Sequence, residues 1–360
     1  MKRILVTGGF GFIGSHLVER LLEDPDNQVH VVDNLSSSPL PLDRLLSEIR
    51  PAQNLSYDIQ SVTDYCATEG QFASFDEIYH LASVVGPAGV LPHAGRIVQS
   101  TVDDTYALID LALRNDAKLV DVSTSEVYGG GREGLCREDF SKIVPAESTV
   151  RLEYAVAKLA GEIALINTAK VRPLRCSIVR PFNIAGPRQS GRGGFVLPRF
   201  IAQALRGQPL TVFGNGSQIR AFTHVADIVQ GLVLVMTRGS NGEAYNLGNP
   251  ENRLSILELA NMVTTIAGST SSIQFVDPRT LYGNLYAEAN DKFPDAAKSI
   301  NELCWQPTYS VATTIQDTME YMLRLPPELF SEVGGLVSPQ KHHSRTVHRE
   351  SVGESMVLGR

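Results

Sequence analysis

Tyr154 and Lys158 stand four residues apart in Leu152-Glu153-Tyr154-Ala155-Val156-Ala157-Lys158-Leu159-Ala160-Gly161-Glu162. On a helix this spacing sends both side chains out of one face. A neighbouring ammonium favours the phenolate and lowers a tyrosine's pKa, which makes a general base for an alcohol proton. A second polar group, Ser123-Thr124-Ser125-Glu126-Val127-Tyr128-Gly129, follows the run Lys118–Val122. Thr124 offers a hydroxyl to a reacting alcohol, and Ser125 and Glu126 offer a donor and a carboxylate beside it.

A glycine turn says what such a base would work with. In Thr7-Gly8-Gly9-Phe10-Gly11-Phe12-Ile13-Gly14, Gly8 permits a tight turn and Gly11 lets backbone approach a pyrophosphate. Gly14 allows close packing, and Phe12 and Ile13 open a helix whose N–H groups and dipole favour an anion. Asp33, in Val31-Val32-Asp33-Asn34, ends the next strand. Its carboxylate can accept from both ribose hydroxyls and would repel a 2′-phosphate, so the expectation is NAD rather than NADP. Asp58 and Ile59, at a further strand end, border the adenine or belong to a loop, and position alone leaves both open. With NAD present, Tyr154 would deprotonate the alcohol as hydride leaves for nicotinamide, and Lys158 would also hold the nicotinamide ribose.

The elements that must position these groups are short β-rich runs alternating with amphipathic stretches. Ile4-Leu5-Val6 precedes a helix over 13–22, and Val29–Val32, Glu77–Leu81, Lys118–Val122 and Cys176–Val179 follow. Runs apolar throughout suit strands buried on both faces, and intervening helices imply parallel crossovers. The fold class is therefore α/β, a doubly wound parallel Rossmann sheet with a smaller C-terminal substrate-binding lobe. Residues 1–180 form the dinucleotide-binding part, with returning elements around 223–250, and 181–325 form most of the lobe. Within it the pattern predicts helices over 198–206 and 224–236, strands over 210–213 and 244–247, and a capping box of Ser255 and Glu258 opening a helix through Ala267. From Pro326 the pattern dissolves into a flexible tail, 326–360.

The 360 residues are 43% hydrophobic and 20% charged, which excludes a mostly disordered chain. A formal charge of −7 gives no footprint for nucleic acid or an anionic membrane. No apolar run approaches the roughly 18–20 residues that span a bilayer. Met1-Lys2-Arg3 passes into Ile4 and then glycines, too soon broken for a signal peptide. The four cysteines lack ligand spacing, and so do His342, His343 and His348 in the tail. The expectation is a reduced cytoplasmic protein without a metal.

Taken together, these segments resemble the extended short-chain dehydrogenase/reductase family, the NAD-dependent nucleotide-sugar epimerases, dehydratases and decarboxylases. The likeness runs in order through Thr7–Gly14, Asp33, His80-Leu81-Ala82-Ser83, Ser123–Gly129, Tyr154 with Lys158, Arg180-Pro181-Phe182-Asn183, Gly214–Arg220 and Tyr245–Pro250, and covers about 1–325. It implies a tightly held NAD, lined by Asp33, Asn34, Leu81, Ala82 and Ser83. It also implies a UDP-sugar in the C-terminal lobe, its diphosphate met by Asn183 and Arg220, and a homodimer.

Within the family, typical 4-epimerases lack a carboxylate where Glu126 stands, whereas sugar 4,6-dehydratases and UDP-glucuronate decarboxylases have it. The dTDP-glucose dehydratases place Asp where this chain has Ser125. With Arg151 three before Tyr154, the chain looks most like the UDP-glucuronate decarboxylases. Tyr282-Gly283-x-x-Tyr286 and Pro294 repeat a spacing of the decarboxylase domain in the bacterial 4-amino-arabinose pathway enzyme. That group carries Arg where this chain has Lys292, a point charge in place of a planar fork. Thr101 stands where many relatives have Asn. The resemblance implies oxidation of UDP-glucuronate at C4, loss of carbon dioxide, and UDP-xylose or its 4-keto precursor as product. A 4-epimerase of a UDP-uronate or UDP-hexose, a 4,6-dehydratase and a non-catalytic NAD sensor are the alternatives. A sensor has no reason to keep Thr124, Tyr154 and Lys158 together.

Overall fold

Each apolar run forms a strand, and the helix after it returns the chain so that the next strand lies parallel. The computed structural model describes residues 1–49, 53–129, 134–289 and 291–334. Its first half runs β1 (Lys2–Thr7), α1 (Phe12–Leu22), β2 (Asn27–Val32), α2 (Leu42–Glu48), β3 (Leu55–Asp58), α3 (Val62–Ala67), β4 (Glu77–His80), α4 (Ile97–Asn115), β5 (Lys118–Val122), β6 (Leu135–Cys136), α5 (Val150–Val171) and β7 (Arg175–Pro181). Then come β8 (Ile184–Ala185), α6 (Val196–Leu205), β9 (Leu210–Phe213), β10 (Ile219–Ala221), β11 (Thr223–His224), α7 (Val225–Arg238) and β12 (Glu243–Leu247). The chain closes with β13 (Arg253–Ser255), α8 (Ile256–Ile266), β14 (Ile273–Val276), α9 (Arg279–Tyr282), β15 (Phe293–Pro294), α10 (Ala297–Leu303), α11 (Val311–Leu323) and α12 (Pro327–Val333).

Seven strands form one parallel sheet in the order β12-β7-β5-β4-β1-β2-β3. The chain starts in the middle, builds outward through β2 and β3, then returns to the other side of β1 with β4. Ligands of such sheets bind at that reversal, outside the carboxyl ends of the strands. Both faces are covered, as the unbroken apolar runs require. Val6, Tyr79, Val120 and Val179 pack under Leu17 of α1 and Leu232 of α7, while Leu5, Ile78, Leu119 and Ile178 pack under Leu108 of α4 and Leu165 of α5.

Past β7 the chain leaves the sheet and builds the parallel pair β9–β14 and the antiparallel pair β10–β13. Phe200, Leu210, Leu259 and Val263 here join the same buried cluster as α7. Trp305 locks the two parts: it is fully buried, and its Nε1 donates to the Asp227 carbonyl at 2.8 Å. The Ser255–Glu258 capping box is present with both of its hydrogen bonds. Within the stretch expected as a tail from Pro326, Pro327–Val333 is instead helical, and Leu329 and Phe330 find apolar neighbours in the main cluster. The rest of the expected tail, 335–360 with its three histidines, lies outside the described residues. Among the described residues no helix is long and apolar enough to cross a membrane.

Candidate functional site

The β1–α1 turn closes on itself because two residues lack a side chain. Gly8 has φ of +70°, and a Cβ there would lie 2.6 Å from the Ala82 nitrogen, while a Cβ on Gly14 would run into the Gly8 carbonyl oxygen. Gly11 caps α1 in extended conformation with no side-chain cap, which leaves the first-turn N–H groups of Phe12 and Ile13 to a ligand's oxygens. Asp33 stands beside this turn, its Oδ2 accepting from Phe10 N at 2.9 Å and its Oδ1 from Leu35 N at 2.7 Å. Burial raises its pKa and the two N–H groups oppose that. Each oxygen retains a lone pair for a ribose hydroxyl.

Asn34 is exposed beside it, and its side chain accepts from Ser36 N. Asp58 and Ile59 end the neighbouring strand, where the Asp58 carbonyl accepts from Asp33 N at 3.2 Å. Leu81, Ala82 and Ser83 leave β4 directly across the turn, with Leu81 N donating to the Thr7 carbonyl at 3.0 Å. Backbone donors, a carboxylate and small neighbours in this order fit a dinucleotide.

The Thr149 side chain caps α5 by accepting from Leu152 N at 3.1 Å. Glu153 ties its first turn to α4 by accepting from Gly95 N and Ile97 N at 2.7 and 2.9 Å. Tyr154 and Lys158 then both reach the end of β5: Tyr154 hydrogen-bonds the Thr124 hydroxyl, and Lys158 Nζ donates to the Val122 carbonyl at 2.8 Å. The expected depression of the Tyr154 pKa by Lys158 is not what the structure shows. Burial raises it, the Glu126 and Asp121 charges add to the rise, and only the Thr124 hydrogen bond works against them. The reason is the direction of the lysine, whose ammonium turns to the β5 backbone. Burial pulls the Lys158 pKa down, while Asp121, Asp104 and Glu162 support the charge.

Glu126 follows Thr124 in a short turn and carries the densest electrostatics of the site. Its Oε1 accepts from Lys292 Nζ at 2.6 Å and lies 2.9 Å from Arg151 Nη1. Burial alone would raise the Glu126 pKa, but Lys292 and Arg151 together outweigh it and hold it at about 2. Lys292 arrives from far along the chain because β15 pairs with β6 just beyond the Glu126 turn, and its backbone bridges to Arg220 on β10. Arg151 is steadied from behind, its Nε donating to the Ala287 carbonyl at 3.0 Å.

Arg220 donates from Nη2 to Glu288 Oε1 at 2.9 Å and to the Ala289 carbonyl at 2.6 Å, and the Tyr286 hydroxyl donates to Glu288 Oε2 at 2.8 Å. Three cations (Arg151, Arg220, Lys292) against two carboxylates (Glu126, Glu288) leave this group net positive in a chain of net charge −7. That balance favours an anionic ligand.

The structure thus joins Thr124, Tyr154, Glu126, Arg151 and Lys292 in one chain of contacts, with Arg220 one bridge away. Ser125 is buried within the turn. Asn183, at φ of +37°, is turned to the end of β10, its Nδ2 donating to the Ala221 carbonyl at 3.4 Å. Sequence reasoning missed Glu288 and Asp121. Glu288 lies two residues past Tyr286 in a segment already singled out, and Asp121 is a carboxylate inside an otherwise apolar strand.

Comparison with known proteins agrees with this geometry. The model of the NAD dependent epimerase/dehydratase family matches residues 4–248. A UDP-N-acetyl-alpha-D-glucosaminuronate decarboxylase of Bacillus cytotoxicus is 33% identical over 89% of this chain and 97% of its own length. UDP-glucuronic acid decarboxylase 6 of Arabidopsis thaliana is 34% identical over 85% of this chain and 84% of its own. The crystal structure of a UDP-glucuronic acid 4-epimerase from Bacillus cereus, in complex with UDP-glucuronic acid and NAD, superposes with a TM-score of 0.79 at 28% identity over 90% of this chain and all of that one.

Proposed function

We propose that this chain, which belongs to the NAD dependent epimerase/dehydratase family, decarboxylates a UDP-linked uronic acid such as UDP-glucuronate. The observation that carries the reading is Glu126 held between Lys292 and Arg151 next to the Thr124–Tyr154 pair. NAD, when bound, supplies the hydride acceptor for the sugar C4. Tyr154 takes the proton of the 4-hydroxyl, steered by the Thr124 hydroxyl. Burial raises its pKa, and the Thr124 hydrogen bond works against that rise. Lys158, fixed to β5 through the Val122 carbonyl, fits the nicotinamide ribose.

A 4-keto uronate is a β-keto acid whose ketone accepts the electrons released with carbon dioxide. Lys292 and Arg151 orient the departing carboxylate, and Lys292 returns a proton to C5. Asn183 and Arg220 meet the diphosphate, for which Arg220 exchanges the Glu288 carboxylate against a phosphate.

A 4-epimerase is the second reading. One observation favours it: Lys292, where the resembling decarboxylases carry Arg, is closed on Glu126 at 2.6 Å. By the same family likeness we place the protein in the cytoplasm as a homodimer. The exposed Tyr106 of α4 and Ile163 and Val171 of α5 support a second copy against these helices.

Incubating the protein with UDP-glucuronate, and in parallel with its 2-acetamido analogue, tests the reading by product mass and proton NMR. Loss of the mass of carbon dioxide is expected from at least one of the two. Unchanged mass with a galacto-configured spectrum would establish the epimerase instead.

A further inference from the structure

Between α5 and the edge of the sheet runs a buried polar chain that the chemistry above leaves unused. The register sets Arg180 of β7 beside Asn246 of β12, each two residues past an apolar side chain in the cluster under Leu165 of α5. Glu162 of α5, one turn beyond Lys158, takes the Arg180 guanidinium as a fork: Nε donates to Oε1 at 2.9 Å and Nη2 to Oε2 at 2.6 Å. The Ser123 hydroxyl donates to the same Oε1 at 2.5 Å. Arg180 Nη1 donates to the Tyr128 hydroxyl at 2.9 Å, which donates in turn to Asn246 Oδ1 at 2.7 Å. Asn246 Nδ2 then donates to the carbonyls of Cys136 at 2.8 Å and Asp295 at 3.2 Å.

None of Ser123, Tyr128, Glu162, Arg180 and Asn246 is more than 3% exposed. A buried ion pair is weak grounds for stability, because apolar side chains of similar volume often fill the same space at no cost. The ends of the chain say more. Ser123 and Tyr128 bracket Thr124, Ser125 and Glu126, so Glu162 and Arg180 tie that turn at both sides to the helix that carries Tyr154. Cys136 ends β6 and Asp295 follows β15, so Asn246 staples the pairing that brings Lys292 to Glu126. From the guanidinium to the two carbonyls every group donates onward in one sense, and each bond polarises the next.

We propose that Glu162, Arg180, Tyr128 and Asn246 are positioning residues that hold two halves of the reaction in register: the Thr124–Tyr154 pair that oxidises C4, and Lys292, which acts on the ketone so formed. The proposal rests on the reading of that site given above. Tyr128 then joins oxidation to the step after it, with its hydroxyl engaged only by Arg180 and Asn246.

The test cuts the chain at different points in NAD-loaded full-length enzyme and follows NADH on the enzyme during turnover, beside kcat, KM, the NAD dissociation constant and the melting temperature. The substrate is UDP-glucuronate, or its 2-acetamido analogue where the wild type accepts only that. Tyr128→Phe cuts at the joint, and Arg180 keeps Glu162 and its contact to the Glu138 carbonyl at 3.3 Å. The kcat should fall about 10- to 100-fold, as for groups misplaced by about 1 Å, with KM and NAD affinity little changed. Oxidation survives while the next step slows, so NADH should build up on this variant. Ser123→Ala cuts at the oxidation end, and there kcat should fall with bound NADH no higher than in the wild type.

Glu162→Met combined with Arg180→Met supplies a second arm, since it removes both charges together and orphans neither. The double variant should melt close to the wild-type temperature and still lose kcat, which a merely structural pair would not do. Unchanged kcat in Tyr128→Phe or in the double variant overturns the proposal, and so does the same NADH level in Tyr128→Phe and Ser123→Ala. Epimerisation by the wild type would overturn the decarboxylase reading and leave the two NADH signatures to decide the brace, whereas turnover of neither uronate would overturn both.

Discussion

At the proposed cofactor end the surface is mostly main chain, set by two glycines and one helix terminus within the first fourteen residues. At the proposed sugar end it is almost entirely side chain, drawn from Thr124, Tyr154, Arg151, Arg220, Glu288 and Lys292 by pairings such as β6 with β15. Main chain recognises a pyrophosphate common to every dinucleotide, so one rigid turn suffices. Side chains can be exchanged one at a time, and there a shared scaffold varies its chemistry. Substitutions should accordingly abolish binding at the first end and redirect or slow reaction at the second.

Tyr154 lies where the two ends meet, and its removal has the largest expected effect. Tyr154→Phe should lower kcat about 10²- to 10⁴-fold, the range for a general base, with NAD affinity changed less than about threefold. A comparable loss of NAD affinity would mean that Tyr154 belongs to the cofactor end and would blur the division. Next in size is Gly14→Ala. A methyl driven against the Gly8 carbonyl must open the turn. NAD affinity should fall at least about tenfold and the melting temperature by several degrees, as expected for overpacking of about 1–3 kcal/mol.

The same division explains what could be read from the sequence. The glycine turn and Asp33 are local: a strand, a turn, a helix and the next strand state their geometry in consecutive residues. The capping box at Ser255 is legible for the same reason. Lys292 meets Glu126 across 166 residues, through strands of two residues that have no periodicity to read. Only the resemblance placed it near the sugar. The direction of the Lys158 ammonium is a rotamer choice decided by the Val122 carbonyl and the carboxylates around it, and a Tyr-x-x-x-Lys spacing is blind to that. Helix α12 was hidden by Pro326-Pro327, which reads as a break yet opens the helix with proline at its first position.

Lys292→Met sharpens the comparison at intermediate size. It leaves Glu126 to Arg151 alone, and truncating one partner of a buried pair costs about 3–5 kcal/mol at most. The KM for the UDP-uronate should rise about tenfold, the share of one charge-assisted contact, and kcat should fall with loss of the proton donor to C5, while the NAD dissociation constant stays put. Movement of both constants together would show that the sugar-end charges also hold up the cofactor turn.

The smallest expected effect is on the pH dependence of stability, where Glu126 and Asp121, five residues apart, should act with opposite sign. Glu126 drops from 4.5 to about 2 on folding. The unfolded chain therefore binds the extra proton in this range, and the stabilisation, at most about 3 kcal/mol, is present above pH 4.5 and lost as pH falls toward 2. Asp121 rises from 3.8 to about 6 because burial outweighs the Lys158 ammonium. Here the folded state binds the extra proton, so stability is highest below pH 3.8 and declines by a similar amount as pH rises through 6. Asp104, shifted to about 6 as well, has the same sign. Urea unfolding between pH 3 and 7 should therefore lose its acid-side rise in Glu126→Gln and flatten between pH 4 and 6 in Asp121→Asn. If both variants flattened the same limb, the two carboxylates would be titrating as one cluster, and β5 would carry the sugar-end charges into the layer beneath the cofactor.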